Sequence, residues 1–151
     1  MAAPVPPAAF ADLVRGVHHT AFAVPDLDAA LAIYRDTLGF ACDEPEDVPS
    51  QKVRVVFCFA GPNRLELVQP TSPDSAVARF LEKRGQGLHH VAFEVADVAR
   101  AIEVLEARGV EMIDRTPRPG AHRTTVAFVH PRSASGVLVE LVQPPADAAS
   151  H

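Results

Sequence analysis

The chain says one passage twice, and that constrains its fold more than any other feature. Val17-His18-His19-Thr20-Ala21-Phe22-Ala23-Val24 returns as Leu88-His89-His90-Val91-Ala92-Phe93-Glu94-Val95. His18/His89, His19/His90, Ala21/Ala92, Phe22/Phe93, Val24/Val95 and Asp26/Asp97 match at one offset, 90 − 19 = 71. Later, Leu65-Glu66-Leu67-Val68-Gln69-Pro70 returns as Val139-Glu140-Leu141-Val142-Gln143-Pro144, at 140 − 66 = 74. The drift of three residues amounts to one loop insertion. A duplicated chain folds as two copies of one unit. Each copy here holds a histidine near its start and a glutamate near its end.

Residues 17–24 alternate and carry β-branched and aromatic side chains, which predicts a strand. His18, Thr20, Phe22 and Val24 share one face; His19, Ala21 and Ala23 share the other. Asp26 is a suitable N-cap for a helix to about Leu38, with Leu27, Leu31, Tyr34 and Leu38 on one stripe and Gly39 as its stop. That helix covers Phe22 and Val24, so His19 looks the other way. A short strand 40–43, an acidic loop 44–50, a strand 53–59, a turn 60–63 and a strand 64–69 complete a βαβββ unit. Period 2 places Glu66 opposite Leu65 and Leu67, and a carboxylate there requires a partner or a metal. Residues 71–86 read as a connecting helix with Val77, Phe80 and Leu81 inward. The second unit repeats the plan: strand 88–95, a helix capped by Asp97, and strands near 110–113, 124–130 and 137–143. The expected divisions are an arm 1–14, modules 15–70 and 87–144 around the linker 71–86, and a tail 145–151.

A lone four-stranded unit leaves exposed edges, which pairing of the modules removes. Pairing about a pseudo-twofold axis brings His19 and Glu66 together with His90 and Glu140. Two imidazoles and two carboxylates suit one divalent ion, with Co, Mn, Ni, Fe and Zn all compatible. A single inward histidine is more often a satisfied core residue; four polar residues at matched positions point to a ligand set. His18 and His89 read as structural strand-end residues, and His122 and His130 as loop and strand-end residues. Glu94 faces the cavity side by alternation, and Asp26 and Asp97 recur because both cap helices.

The 151 residues suffice for one domain or two small modules sharing a core. The formal charge is −5 and no basic run exceeds Lys83-Arg84, so nucleic acid is not an expected partner. No apolar stretch reaches the ~20 residues of a membrane-spanning helix. Met1-Ala2-Ala3-Pro4-Val5-Pro6-Pro7 has no basic leader and is broken by proline, so an arm is expected in place of a signal peptide. Cys42 and Cys58 read as buried thiols, and a cytoplasmic location is the default.

With the duplicated βαβββ plan and the His…Glu…His…Glu set, residues 15–144 resemble the vicinal oxygen chelate superfamily, which includes glyoxalase I, methylmalonyl-CoA epimerases, extradiol dioxygenases and bleomycin-resistance proteins. The nearest likeness is to the epimerases: His19 to Leu27, Leu65-Glu66-Leu67, Ser75 to Gly85, Gly87 to Val95, and Val126-Ala127-Phe128-Val129-His130-Pro131. The resemblance implies an α+β fold in which two tandem βαβββ modules form a curved, partly open eight-stranded barrel-like sheet with helices outside. It further implies His19, Glu66, His90 and Glu140 as ligands of one divalent metal, Glu140 as a proton-transfer group, a small-molecule acyl-CoA substrate, and a homodimer. The implied reaction is epimerisation of a 2-substituted acyl-CoA thioester such as methylmalonyl-CoA through a metal-stabilised enolate. A glyoxalase I-like lyase, or a pathway-specific enzyme with an altered substrate, shares the ligand set; a metal-free binding protein of the resistance type shares the fold. One departure matters. Ser50 stands where the family carries its second proton-transfer glutamate, and serine is a poor base. Glu46 and Asp47 in the same loop are the expected substitutes. The turn 120–123 departs as well, with Gly120-Ala121-His122-Arg123 in place of a glycine-rich segment.

Overall fold

Alternation, β-branching and well-placed caps produce the expected elements, here in a computed structural model that describes residues 9–147. The first passage becomes β1 (Val14–Ala23) and its repeat β6 (Gly87–Val95). Asp26 accepts the Ala29 amide and starts α1 (Leu27–Leu31), which widens into a π-helical segment (Ala32–Thr37). There the Thr37 hydroxyl donates to the Ala32 carbonyl at 3.0 Å, competing with the helical ladder. Then come β2 (Ala41–Cys42), β3 (Glu46–Val48), β4 (Val53–Ala60) and β5 (Asn63–Pro70). Ser75 caps α2 (Ala76–Arg84), and Asp97 caps α3 (Val98–Ala107) after β6. β7 (Arg118–Pro119), β8 (Thr125–Val129) and β9 (Val139–Gln143) finish the second module.

The strands form one sheet in the order β2-β4-β5-β1-β6-β9-β8-β7, with β3 also on β4. The seam between modules is the antiparallel pair β1/β6, so the two halves join within one chain. β1/β5 and β6/β9 run parallel, which repeats the same module on each side of the seam. The eight-stranded path curls around a cleft of about 1190 Å³.

α1 and α3 cover the outer face. Leu27, Ala30 and Leu31 pack on Val56, Cys58 and Leu67; Val98, Ala101, Ile102 and Leu105 pack on Ala127 and Leu141. Leu67 and Leu141 are fully buried, each a stabilisation of about 2 kcal/mol over exposure. Each helix is also tied to the last strand of its module, since the Gln69 and Gln143 side-chain oxygens accept the Leu27 and Val98 amides at 2.7 and 2.9 Å. The linker helix α2 lies elsewhere: its Val77, Phe80 and Leu81 close one end of the inner face on Ala21, Ala23, Val55 and Val68.

Three local expectations change. The strand near 110–113 reduces to a bridge between Met112 and Val129. The acidic loop contains β3, and β7 is its counterpart. The expected arm 1–14 ends early, because Phe10–Leu13 forms a 3-10 turn whose Phe10 and Leu13 pack on the α3 core. Residues 1–8 of that arm and 148–151 of the tail lie outside the described residues. Both cysteines are free thiols; burial, and then Cys42 beside it, push the Cys58 thiol up to about 12.

Candidate metal centre and cleft

The register of the central strands brings the four predicted ligands together. In one cross-strand row Glu66, Ala21 and His90 stand side by side; in the next, His19, Ala92 and Glu140 do. Ala21 and Ala92 are wholly buried, and their small side chains leave the space into which the four larger ones turn. The His19 and His90 Nε2 atoms are 3.2 Å apart. Glu140 Oε1 is 3.1 Å from each of them, and Glu66 Oε1 3.5 Å from each. All four residues are buried, at 4–6% exposure.

Donors about 2.1 Å from one shared ion stand about 3.0–3.5 Å from one another, which is the spacing found here. Glu140 Oε1 is buried and faces both Nε2 atoms at 3.1 Å without a well-aligned hydrogen bond to either, so the three atoms point at one shared position. The residues therefore fit a divalent metal. Burial opposes charge on His19, but Glu66 and Glu140 outweigh it and push the imidazole up to about 10. Burial likewise opposes charge on Glu140, and His90 and His19 overcome it, holding the carboxyl far below its usual range.

The ligand imidazoles are aimed by their neighbours. His18 Nδ1 is 2.8 Å from His19 Nδ1, and His89 Nδ1 is 2.8 Å from His90 Nδ1, which leaves both Nε2 atoms pointing inward. The strict alternation expected along 17–24 fails at His18, because β1 and β6 are bulged against each other between Val17 and His19 and again between Leu88 and His90. Bulges re-aim side chains beside functional sites. The bulge turns His18 into the cleft wall, so it is more than a strand-end residue. Burial lowers both partners, His18 to about 3 and His89 to about 4, with the adjacent imidazole adding to it. They stay neutral.

A second duplicated layer surrounds the ligands. Phe57 packs edge-on to His19 at 5.2 Å and Phe128 to His90 at 5.5 Å. Asp43 accepts the Phe57 amide at 2.8 Å and Asp114 the Phe128 amide at 2.9 Å. These four residues were missed in the sequence, although 114 − 43 and 128 − 57 both equal 71.

Beyond this layer the symmetry ends. Phe57 and Asp43 line the cleft together with His122, whose Nε2 is 3.1 Å from Asp43 Oδ2 and whose ring lies 5.0 Å from Phe57. In the other half Asp114 pairs with Arg118 at 3.3 Å, and that guanidinium covers the Phe128 ring. His122 is thus a wall residue of the cleft and not simply a loop residue; His130, by contrast, caps the 3-10 turn Pro131–Ser133. Glu94 lines the cleft near Arg15, in keeping with its alternation.

The structure separates the remaining carboxylate candidates. Glu46 stands at the rim, where Oε2 accepts the His122 amide at 2.8 Å. Asp47 points out to solvent beside Arg54, 3.9 Å away, and does not join the site. The Ser50 hydroxyl donates to the Pro119 carbonyl at 2.8 Å, and Arg118 donates to the Ser50 carbonyl at 3.1 Å. Residues 46–50 and 118–122 therefore interlock across the mouth.

Comparison with known proteins agrees with this geometry. The model of the glyoxalase/bleomycin resistance protein/dioxygenase superfamily matches residues 18–128. The chain is 44% identical to the uncharacterised protein YqjC of Bacillus subtilis, covering 85% of this chain and 92% of that one. It is 40% identical to the ethylmalonyl-CoA/methylmalonyl-CoA epimerase of Cereibacter sphaeroides, over 87% of this chain and 99% of its relative. A variant of Streptomyces coelicolor methylmalonyl-CoA epimerase in complex with 2-nitronate-propionyl-CoA superposes with a TM-score of 0.85 at 35% identity, covering 91% of this chain and 99% of that one. Duplicated βαβββ modules, an inward ligand set on their seam and these matches lead to one conclusion: the chain belongs to the glyoxalase/bleomycin resistance protein/dioxygenase superfamily.

Proposed function

We propose that the protein is a divalent-metal-dependent epimerase of a 2-substituted malonyl-type acyl-CoA thioester, methylmalonyl-CoA being the first substrate to test. The observation that carries this reading is the convergence of His19, His90, Glu66 and Glu140 on one point. The likeness to epimerases supports the substrate class.

His19, His90, Glu66 and Glu140 would hold the metal, and His18 and His89 keep the two imidazoles turned toward it. When bound, the ion supplies Lewis acidity toward two vicinal oxygens of the substrate, which makes the carbon between two carbonyls acidic. Glu140 takes the proton from that carbon. Its place on β9, beside the seam strand β6, holds it at the point where the four side chains converge. The buried apolar surroundings of Phe57, Val55 and Val126 exclude water from the carbanion.

The test is deuterium uptake at C2 of methylmalonyl-CoA in D₂O, followed by mass spectrometry, with protein loaded separately with Co²⁺, Mn²⁺ and Zn²⁺. Metal-dependent exchange lost in Glu140→Ala is the expected result. Stoichiometric metal binding without exchange overturns the epimerase and leaves a lyase acting on a hemithioacetal, which the same ligand set serves.

A further inference from the structure

The outer face of the first module carries a chemistry that the cleft does not use. Cys42 on β2 and Cys58 on β4 stand directly opposite each other in an antiparallel pair, with Ala41 opposite Phe59 beside them. The adjacent rung shows what kind of pair this is. There the Asp43 amide donates to the Phe57 carbonyl at 2.9 Å, and the Phe57 amide donates to the Asp43 side chain at 2.8 Å. Hydrogen-bonded and non-hydrogen-bonded rungs alternate along an antiparallel ladder, so Cys42 and Cys58 occupy a non-hydrogen-bonded rung. The Cα atoms of such a rung lie about 4.5 Å apart, within the roughly 4.4–6.8 Å that a disulfide spans. Both side chains enter the apolar cluster under α1, with Val56, Leu67 and Tyr34. The two sulfurs can therefore join without displacing either strand.

The two thiols are unequal. Cys42 is half-buried on a two-residue edge strand, and its thiol donates only to the Phe40 carbonyl, at 3.5 Å. Cys58 is wholly buried, and burial, followed by the neighbouring Cys42, pushes its thiol up to about 12. A reagent from solvent thus meets Cys42 first. The duplication does not account for the pair, because the offset of 71 leads from Cys42 and Cys58 to Ile113 and Val129. Only the first module places sulfur on both strands. Each thiol is also next in sequence to a residue of the cleft wall: Asp43, which faces His122, and Phe57, which packs on His19.

We infer that Cys42 and Cys58 are a modification site, which exchanges with a low-molecular-weight disulfide to form a cross-strand disulfide clamping the β2 edge to β4 behind the cleft wall. The site does not depend on the reaction carried out in the cleft. The Cys42 thiolate attacks one sulfur of the reagent, whose S–S bond breaks and expels a thiolate, leaving a mixed disulfide on Cys42. Cys58 then gives up its proton and attacks the Cys42 sulfur, expelling the second thiolate. Two protein thiols are oxidised to one disulfide, one reagent disulfide is reduced to two thiols, and the two protons pass to those leaving groups. The second step is the slower, because Cys58 must lose its proton in an apolar setting.

The experiment equilibrates the full chain, without denaturant, in glutathione buffers of rising glutathione disulfide content. Free thiols are trapped with iodoacetamide, and the products are read by intact mass and peptide mapping. The expected result is that both thiols escape alkylation together, the Cys42 and Cys58 peptides are linked within one chain, and dithiothreitol reverses the link. Cys58→Val, which installs the residue found at position 129, should stop with one glutathione on Cys42. Cys42→Ser should react at least about tenfold more slowly than wild type. Hydrogen exchange of the Asp43 amide, bonded to the Phe57 carbonyl, should slow about tenfold or more on oxidation. Both thiols alkylated at every ratio, glutathione retained on Cys42 of the wild type, or linkage only between chains overturns the site. An intrachain link that leaves Asp43 exchange unchanged overturns the clamp. The wild-type peptide map decides the linkage even where a variant misfolds.

Discussion

The two modules supply the same parts and end in different partners for their aspartates. Each contributes a bulged His-His pair, an inward glutamate, a phenylalanine against its ligand imidazole and an aspartate on that phenylalanine's amide. In the second module the aspartate meets Arg118, which is permanently charged and seals the Phe128 ring. In the first it meets His122, an imidazole that comes from the opposite module. The duplicated layer builds the scaffold and the ligand cage. The unduplicated rim decides which half opens onto the cleft.

That contrast can be attacked residue by residue. The sharpest break should come from the two glutamates. Glu140→Gln, which removes the proton-accepting oxygen, should lower C2 exchange by about 10²–10⁴-fold. Glu66→Gln keeps an oxygen donor, so it should cost no more than the roughly tenfold of a disturbed ligand sphere. Comparable losses from the two would show that both halves work as bases. The cores should instead behave alike: Leu67→Ala and Leu141→Ala should each destabilise by about 2–5 kcal/mol in denaturant unfolding, with values within about 1 kcal/mol of each other. A wide gap would mean that one module is the stable nucleus and the other leans on it. The helix caps sharpen the same point on a smaller scale, Asp26→Ala and Asp97→Ala each costing about 1 kcal/mol. Smallest of all should be Arg118→Met, expected to cost up to about 1 kcal/mol of stability and to leave exchange and inversion intact. Loss of inversion there would erase the distinction between the two aspartate partners.

The repeat made much of this legible. His19, Glu66, His90 and Glu140 stand out because their neighbours repeat with them, and a matched pair of motifs survives in a sequence where a single residue would not. Asp26 and Asp97 are legible for the same reason, as is the extra length in the second module. The three-residue drift falls between the tight β4–β5 turn, where Ala60 opposes Asn63, and the longer connection from His130 to Leu138. Asp43/Asp114 and Phe57/Phe128 keep the offset of 71 but sit among dissimilar neighbours, so only a search at the known offset would reveal them. The bulges at His18 and His89 belong to a pair of strands and to neither strand alone. His122 was hidden by distance along the chain: its partners Glu46 and Asp43 lie 76 and 79 residues away and meet it only when the sheet curls. The shortness of the 110–113 bridge follows from its place at the sheet's edge, where one partner strand supplies all the pairing.

The β1/β6 seam has a consequence for how the molecule breathes. These are the two strands at the centre of the path, paired on both sides, and every ligand lies on them or on the strands next to them. Fluctuations that widen the cleft must be absorbed at the outer strands β2, β3, β7 and β8, where the rim contacts Ser50–Pro119 and Glu46–His122 can part and reform. Amide exchange should therefore be slowest along the seam and fastest at the rim. The cage keeps its dimensions while the mouth opens and shuts.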